Sequence, residues 1–483
     1  MKPLTKTSFL KLVFIVSLFF IASCSKDDDK PIKEETETET EVTVSNFSIS
    51  IDENPENGET IGQVDASTNT GSLTFSITEQ NPENAFYIDS ATGELTVADA
   101  TLFDFETNPT ITGTLKVANG DVSENVLVKI NLIDLNEEKI YEGDVILKTQ
   151  EEVNIFGAHN YTQINGLLLI GHPEDTETTD IINLTPLHSI RIINNSFQIK
   201  NNSLLTTTKG LNINFILGQL AISNNPSLER IKGFTSITSI PGIFLFDNKT
   251  LTDVSGLSQV TNIEYNFSIT LCPLLSNIDW LQNLTSVGNG LSISNCDSLK
   301  NIDGLSNLTN FTDEYGYINF SHNKALENLD GLQNLNTSII ELSIYYNNSL
   351  ENIHGLANID VIQNLTITGN DLLQSLHGLE KTTSVSISTI IKHNNSLTDL
   401  QGLNNLNNAS GFFDIKYNDN LISLNGLNNL HDFESLHIYY NVKLSDFCSL
   451  QNVFIKNSNY YYDSLGNAYN PTQQDIIDGN CSL

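Results

Sequence analysis

Basic residues are scarce in this sequence, which has 23 Lys and Arg against 58 Asp and Glu in 483 residues and a formal net charge of -35. A surface of that sign repels phosphate backbones, so the composition excludes a nucleic-acid partner. It suits a protein that is soluble outside the cell and attracts cations. The length leaves room for two or three domains with sizeable cores.

Sequence motifs for catalysis are missing as well. The chain has no GxSxG nucleophile elbow, no HExxH zinc helix, no GxxxxGK[ST] phosphate loop and no paired CxxC. The nine histidines are scattered, and several recur at equivalent repeat positions, which is typical of a surface rather than a catalytic cluster. The sequence therefore predicts a protein that is not an enzyme. A carboxylate pair of the glycosidase type stays an open alternative in so acidic a chain.

The N-terminal apolar run is too short to span a membrane comfortably. The run LVFIVSLFFIA follows Lys2, Lys6 and Lys11 and is shorter than the roughly 20 apolar residues of a membrane span. The pattern predicts a signal peptide over residues 1–23. The segment ends in IASC at Cys24, which resembles the lipobox of bacterial lipoproteins and implies a lipid attached to Cys24. The alternative is an ordinary signal peptide with an incidental cysteine.

Residues 24–43 are predicted to form an acidic, disordered tether. SKDDDK after Cys24 resembles the signal that exports some lipoproteins to the outer face of the outer membrane of Gram-negative bacteria. The resemblance implies a lipid-anchored protein of the bacterial outer membrane that faces the exterior; the alternative is a solvated linker. PIKEETETETEV is acidic and of low complexity, as in extended chains without a core.

Residues 44–137 carry short runs of alternating apolar and polar residues, such as FSISI, LTFSI and VLVKINLI, separated by turn clusters. This pattern predicts an antiparallel β-sandwich. The order IDENPENGETIGQVDA, FYIDSATGELTVA, LFDFE and IDLNE resembles a single cadherin repeat.

The cadherin resemblance implies calcium, which prefers oxygen ligands rich in carboxylate. The implied ligands are Glu53, Asp104, Glu106, Asp134 and Asn136. Two acidic positions of the family fall on STNT and ANG here, and only one repeat is present although family sites usually bridge two. A calcium-free spacer with exposed acids therefore stays an alternative.

Residues 138–447 contain an internal repeat. A glycine followed by a large apolar residue recurs every 23 or 24 residues from Gly210 to Gly426, with one step of 27, and Trp280 stands in for one glycine. A fixed period of this length is typical of a solenoid. Each unit has the pattern apolar-x-apolar-x-x-Asn-x-x-Leu, as in LSIYYNNSL, which predicts one short strand per coil in a continuous parallel sheet.

The asparagine of each unit is predicted to satisfy buried backbone groups where the chain turns inward, which forms a ladder up the solenoid. The pattern resembles the leucine-rich repeats, in particular the receptor L-domain variety, which accepts asparagine or cysteine at this step. The ladder residues are Asn202, Asn225, Asn248, Cys272, Cys296, Asn323, Asn347, Asn370, Asn394, Asn418 and Asn441.

Cys272 and Cys296 are interpreted as reduced, buried ladder residues, because a free thiol packs like a small hydrophobe. A disulfide between them or a metal-binding pair is the alternative, since strands of adjacent coils lie about 4.8 Å apart. A metal is disfavoured, because no other ladder position carries His or Cys. Residues 448–483 lose the repeat and are predicted to cap the open end of the core. Cys448 and Cys481 bracket this cap and predict a disulfide in a secreted protein.

The outer face of the predicted sheet is the candidate ligand surface. Residues four, two and one positions before each ladder residue are expected to point outward. They include Phe244, Phe246, Asp247, Lys392 and Asp414, and the predicted ligand face is Tyr345, Tyr346, His393, Lys416, Tyr417, His437, Tyr439 and Tyr440. Exposed tyrosines commonly anchor ligands, although tyrosine also simply suits strands.

These observations lead to one functional interpretation with two rivals. The main interpretation is a cell-surface lipoprotein for recognition or adhesion, which binds a protein or glycan ligand on the solenoid face. The first rival is an accessory glycan-binding component of a polysaccharide-uptake assembly. The second is a structural surface-layer protein without a specific ligand. The sequence does not name the ligand, because fold does not fix function.

Overall fold

The computed structural model describes residues 39–135, 138–314, 316–457 and 459–483. The predicted signal peptide, Cys24 and most of the predicted tether lie outside these residues, as does Asn136. The described residues fall into two compact units that divide at residues 136 and 137. No helix among them is long and apolar enough to cross a membrane.

The first unit is a β-sandwich. Its strands are β1 Val42–Val44, β2 Phe47–Asp52, β3 Thr60–Gln63, β4 Ala66–Thr68, β5 Thr74–Asn81, β6 Phe86–Ile88, β7 Glu94–Val97, β8 Thr110–Asn119 and β9 Val122–Ile133. The sheets have the orders β2-β9-β8-β5, β3-β7-β6 and β1-β4. A 3₁₀ turn covers Ala100–Leu102.

Alternation along the strands builds the core of this unit. In β9, Val126, Val128, Ile130 and Leu132 are buried while most residues between them face outward. Side chains from the larger two sheets meet in one apolar cluster. The pairing is antiparallel as predicted except between β2 and β9, which run parallel.

The second unit is a solenoid. One strand from each coil enters a 14-stranded parallel sheet. Its members are β11 Val145–Leu147, β13 Leu168–Gly171, β15 Phe197–Lys200, β17 Gln219–Ser223, β19 Gly242–Phe246, β21 Asn266–Thr270, β23 Gly290–Ser294, β25 Tyr317–Ser321, β26 Ile339–Tyr345, β27 Val361–Thr368, β28 Ser384–Lys392, β29 Asn408–Lys416, β30 Asp432–Tyr439 and β31 Tyr461–Leu465.

Two smaller parallel sheets of four strands each complete the coils before Asn310–Phe311. They consist of β10 Ile140–Glu142, β12 Gln163–Asn165, β14 Ile192–Ile193 and β16 Phe215–Ile216, and of β18 Ser239–Ile240, β20 Asn262–Ile263, β22 Ser286–Val287 and β24 Asn310–Phe311. Short 3₁₀ turns lie at Thr185–Leu187, Ser255–Leu257, Asp279–Leu281, Asp303–Leu305, Asp330–Leu332, His354–Leu356 and Cys448–Leu450.

Packing of one coil on the next explains the recurring glycine. A methyl group on Gly355 would lie 1.8 Å from the carbonyl oxygen of Leu329 in the preceding coil, and Gly331 meets Ile302 in the same way at 1.9 Å. A residue with a side chain would push the coils apart. The following Leu356 is fully buried in a core that extends from Val145 to Cys481.

The ends of the solenoid are closed by helices. Helix α1, Gln150–Gly157, starts at a capping box formed by Thr149 and Glu152. At the other end lie α2, Gln451–Lys456, and α3, Gln473–Ile477, and a disulfide joins Cys448 to Cys481. The predicted fold class is therefore confirmed: a β-sandwich, a parallel-sheet solenoid and a disulfide-linked cap.

Candidate functional site

The ladder residues fix the end of each strand of the 14-stranded sheet. Asn347 is fully buried, and its Oδ1 accepts a hydrogen bond from the backbone N–H of Asn323 at 3.1 Å. Its Nδ2 donates to the carbonyl of Phe320 at 2.9 Å, and its own N–H donates to Asn370 Oδ1 at 3.1 Å. The same bonds recur at Asn370, Asn394, Asn418 and Asn441. Each coil is therefore hydrogen-bonded to the next coil at the same position of the repeat.

Cys272 and Cys296 occupy two adjacent ladder positions as free, fully buried thiols. The backbone N–H of Cys296 donates to Asn323 Oδ1 at 3.0 Å, and its thiol donates to the carbonyl of Ser294 at 3.5 Å. Burial raises the pKa of Cys272 to about 11 and that of Cys296 to about 12. Both thiols therefore stay protonated, and inert thiols suit a structural role.

The residue directly before each ladder residue has a left-handed backbone, with φ between 49° and 72°. We call these residues the left-handed row. The row consists of Asn201, Asn224, Asp247, Leu271, Asn295, His322, Tyr346, Gly369, His393, Tyr417, Tyr440 and Gly466. An ordinary side chain pays about 1–2 kcal/mol in this conformation, whereas glycine avoids the clash and Asn or Asp tolerates it.

In the C-terminal half of the sheet, most residues of the left-handed row are tyrosine or histidine. The ring of Tyr417 stacks on His393 with centroids 4.8 Å apart and on Tyr440 at 5.1 Å. These three residues form the aromatic stack. Earlier in the row, His322 and Tyr346 lie 5.1 Å apart.

The two glycines of the row make room for these rings. An added methyl group on Gly369 would come within 2.3 Å of the ring of Tyr346, and one on Gly466 within 2.5 Å of the ring of Tyr440. Tyr346, Tyr417 and Tyr440 remain 45%, 40% and 42% exposed. Because their faces are covered by neighbours in the row, the stacked rings offer mainly edges and hydroxyl groups to solvent.

A cluster of charges lies beside the aromatic stack. Asp414 Oδ2 accepts from Lys392 Nζ at 2.8 Å and from Lys416 Nζ at 2.9 Å, and its Oδ1 pairs with His437 Nδ1 at 2.9 Å. Burial raises the pKa of Asp414, but the hydrogen bonds from the two lysines outweigh burial and hold that pKa below its ordinary value. Asp414 thus binds two ammonium groups, one from β28 and one from β29.

Tyr439 extends this cluster toward the last strand. The ammonium group of Lys416 lies 4.8 Å from the centroid of the Tyr439 ring, and the Tyr439 hydroxyl donates to Asp463 Oδ2 at 2.8 Å. Burial, followed by the hydrogen bond to Asp463, raises the pKa of Tyr439 to about 12. The phenol therefore acts as a neutral donor at physiological pH.

The structure brings most residues of the predicted ligand face together. Tyr346, His393, Tyr417 and Tyr440 are exposed, and the half-buried members are Tyr345, Lys416, His437 and Tyr439. In the N-terminal half, Phe246 is exposed, while Phe244 and Asp247 are half-buried. Asp414 was expected to point outward but is only 7% exposed, because Lys392, Lys416 and His437 surround it.

Other residues of this face were not predicted. Phe412 is 44% exposed and Tyr461 is 58% exposed, and both lie six positions before a ladder residue. This position is the first residue of five-residue strands such as β25 and β31, so it forms a further column of the face. Asn467 also continues the ladder, because its Oδ1 accepts from the N–H of Asn441 at 2.9 Å. The cap segment YDSLGNAY departs from the apolar-x-apolar-x-x-Asn pattern only at Ser464, so a search that allows one polar residue finds this coil.

The sandwich carries the predicted acidic cluster. Ligand atoms of Glu53, Asp104 and Glu106 all lie within 4.8 Å of one another. Glu53 is 2% exposed and accepts from the N–H of Phe105 at 2.7 Å and of Leu135 at 2.6 Å. Burial raises the pKa of Glu106, and the charges of Glu53, Asp134 and Asp104 raise it further.

Comparison with known proteins finds similarity to solved structures only. No family model and no curated protein match the chain. One similar structure, "Protocadherin Gamma B2 extracellular cadherin domains 3-6", is 25% identical with a TM-score of 0.19, covering 20% of this chain and 23% of that chain. The human desmocollin-1 ectodomain is 21% identical with a TM-score of 0.19, covering 22% of this chain and 24% of that one. Mouse cadherin-23 EC22-24 is 21% identical with a TM-score of 0.17, covering 22% and 38%. The chain thus spans about a quarter of the first two chains.

Proposed function

We propose that this chain is a recognition or adhesion module whose ligand is a protein bound on the C-terminal half of the 14-stranded sheet. The observation that carries the proposal is the aromatic stack in the left-handed row. His393, Tyr417 and Tyr440 have φ values of 54°, 56° and 58°. Bulky residues in this conformation are backbone outliers, and such outliers are a reason to consider function.

Stability alone does not account for these rings. Asn201, Asn224 and Asn295 fill equivalent positions in earlier coils, where asparagine tolerates the left-handed backbone. Each ring in place of asparagine costs about 1 kcal/mol or more. Each aromatic pair returns about 0.5–1.5 kcal/mol. The cost of the left-handed backbone and the gain from aromatic pairing nearly cancel in the folding free energy. Stability therefore does not explain why tyrosine and histidine occupy these positions.

The orientation of the rings favours a protein over a glycan. A sugar binds an aromatic side chain through an open ring face, but both faces of Tyr417 are covered, by His393 and by Tyr440. The exposed edges carry hydroxyl groups, and Lys392 and Lys416 directly precede His393 and Tyr417 in the chain, which suits hydrogen bonds and ion pairs with polar side chains. The accessory glycan-binding role is therefore the weaker candidate.

The experiment is a parallel screen of the full chain against a peptide-display library and a glycan array. Replacing Tyr417→Asn and Tyr440→Asn together keeps a residue that tolerates the left-handed backbone but removes the rings. We expect enriched peptides whose affinity falls at least about tenfold in this double variant. Leu271→Asn, at the same row position in the N-terminal half, is the matched control and should change nothing. Binding of glycans alone, or equal loss in the control, would overturn the proposal.

We propose in addition that the chain is held at the bacterial outer membrane by a lipid on Cys24 and faces the exterior. The support is the lipobox-like IASC and the acidic SKDDDK that follows it. Protease treatment of intact cells tests this location. Loss of the protein from shaved cells is expected, and full protection would instead place it on the inner face.

Calcium binding by the sandwich is the last part of the proposal. Glu53, Asp104 and Glu106 fit a hard cation, because three carboxylates converge and none forms an ion pair with a basic side chain within the described residues. Calcium would offset the repulsion that raises the pKa of Glu106. Titration calorimetry should detect calcium with the native chain and much weaker binding with Glu106→Gln.

A further inference from the structure

Strand β31 ends the 14-stranded sheet and pairs only with β30. The N–H of Tyr440 donates to the carbonyl of Leu465 at 2.8 Å, so the backbone groups of Leu465 face β30. Backbone groups alternate in direction along a strand, so those of Tyr461 and Asp463 also face β30. The N–H and C=O groups of Tyr462 and Ser464 then face the open edge. Within the described part of the chain, the N–H and C=O groups of Tyr462 and Ser464 form no backbone hydrogen bond with a turn or loop.

This edge lacks several of the devices that block strand addition, and its one charged residue is Asp463. It contains no proline and no lysine, and the pairing with β30 continues through all five residues without a bulge. Tyr461 is 58% exposed and Leu465 is 56% exposed on the outer face. The cap contacts the inward side chains of this strand, since the hydroxyl groups of Tyr462 and Ser464 both donate to the carbonyl of Pro471. The strand is therefore supported by the cap while its edge stays open.

We propose that an extended, basic segment of another protein adds to β31 as a further strand of the sheet. Backbone hydrogen bonds to Tyr462 and Ser464 would hold the segment, and its side chains would select it. Asp463 is exposed on this strand, accepts only from the Tyr439 hydroxyl and has no basic partner in the described residues. A lysine or arginine opposite Asp463 satisfies this carboxylate.

Charge also argues against a second copy of the chain as the occupant. Antiparallel pairing of two β31 edges about a twofold axis brings Asp463 opposite Asp463 of the other copy, and like charges in that position are destabilising. Two molecules that each carry a net charge of -35 also repel one another. The edge therefore fits a cationic partner, and it adjoins the candidate ligand face, because Asp463 accepts from Tyr439 and Gly466 lies against the ring of Tyr440.

The test uses the full chain and a short blocked peptide of alternating threonine and valine with a central lysine. Hydrogen exchange followed by mass spectrometry should show slower exchange in residues 461–465 when the peptide is present. A peptide with central glutamate, and a lysine peptide N-methylated on the edge that bonds β31, should leave exchange unchanged. These comparisons require no variant of the protein.

Two variants then localise the binding. Ser464→Pro removes one N–H from the open edge and leaves the pairing with β30 intact, so peptide affinity should fall about tenfold, the effect of one backbone hydrogen bond. Ser464→Ala should bind as the native chain does. Protection that the glutamate or N-methylated peptide also produces, or no protection by the lysine peptide, would overturn the proposal. A dimer in sedimentation that Ser464→Pro abolishes would overturn it too, because the occupant would then be a second copy.

Discussion

The asparagine ladder supports a quantitative prediction at Asn394, which is fully buried near the middle of the candidate ligand face. Its Oδ1 accepts from the N–H of Asn370 at 3.1 Å, and its Nδ2 donates to the carbonyl of Ile367 at 2.9 Å. Asn394→Ala leaves the N–H of Asn370 buried without a partner and removes one hydrogen bond to the carbonyl of Ile367, which still faces β28 in the sheet. An unpartnered buried group costs about 1–3 kcal/mol and a lost hydrogen bond about 1 kcal/mol, so the free energy of unfolding should fall by about 3 kcal/mol.

Asn394→Cys should be milder, because two coils of the native chain already use cysteine. At Cys272 the sulfur accepts from Asn248 and the thiol donates to the carbonyl of Thr270. A cysteine at residue 394 would keep an acceptor for Asn370 and lose only the hydrogen bond to the carbonyl of Ile367. The expected loss is about 1 kcal/mol, well below that of the alanine variant.

The assay is urea unfolding followed by the fluorescence of Trp280, which is the one tryptophan of the chain and lies in the solenoid core. Asn407→Ala is the control, since the Asn407 side chain is exposed and forms no hydrogen bond within the described residues, so the unfolding free energy should change by about 0.5 kcal/mol. A cost below about 1 kcal/mol for Asn394→Ala, or equal costs for alanine and cysteine, would refute the reasoning.

Three further predictions concern the cap, the sandwich and a surface ion pair. The disulfide between Cys448 and Cys481 closes a loop with a separation of 33 residues. Replacing both cysteines by serine should lower the unfolding free energy by about 4 kcal/mol, and an unchanged urea midpoint would contradict this. Calcium at millimolar concentration should raise the melting temperature of the sandwich in the native chain but not in Glu106→Gln; equal shifts would place the ion elsewhere. Burial raises the pKa of Asp253, but hydrogen bonds from Lys232 and Ser255 lower it to about 2. Its contribution to stability is therefore present above about pH 4 and is lost as the pH falls toward 2. Carboxyl NMR titration should show this pKa rising toward 3.8 in Lys232→Ala, and no rise would rule out Lys232 as the cause.

The repeat made the solenoid predictable, because each element of the pattern has a local physical cause. Leu342 and Ile344 alternate with outward residues, Asn347 fills the ladder, and Gly355 meets the carbonyl of Leu329. These constraints recur in every coil and can be read from one chain. The disulfide was predictable for a different reason, since Cys448 and Cys481 stand apart from the repeat.

The details of the candidate site were less predictable, since they depend on side chains from adjacent coils. Pattern alone placed Asp414 on the outer face, but its burial results from Lys392 and Lys416, which are 22 residues before it and two after it. The stacking of Tyr417 on His393 likewise needs the register between β28 and β29. The left-handed backbone of these residues has no sequence signal when tyrosine or histidine occupies the position.

Site-specific photo-crosslinking from the aromatic stack tests the central claim most directly. Benzoylphenylalanine in place of Tyr417 carries its reactive ketone at the ring position of the tyrosine hydroxyl, on the exposed edge of the stack. The same amino acid at Leu271, which is 37% exposed in the left-handed row, is the matched control. On irradiated cells that carry the protein, we predict a discrete, protease-sensitive adduct from residue 417 and none from residue 271. Equal adducts from both positions, or no protein adduct from residue 417, would contradict the account.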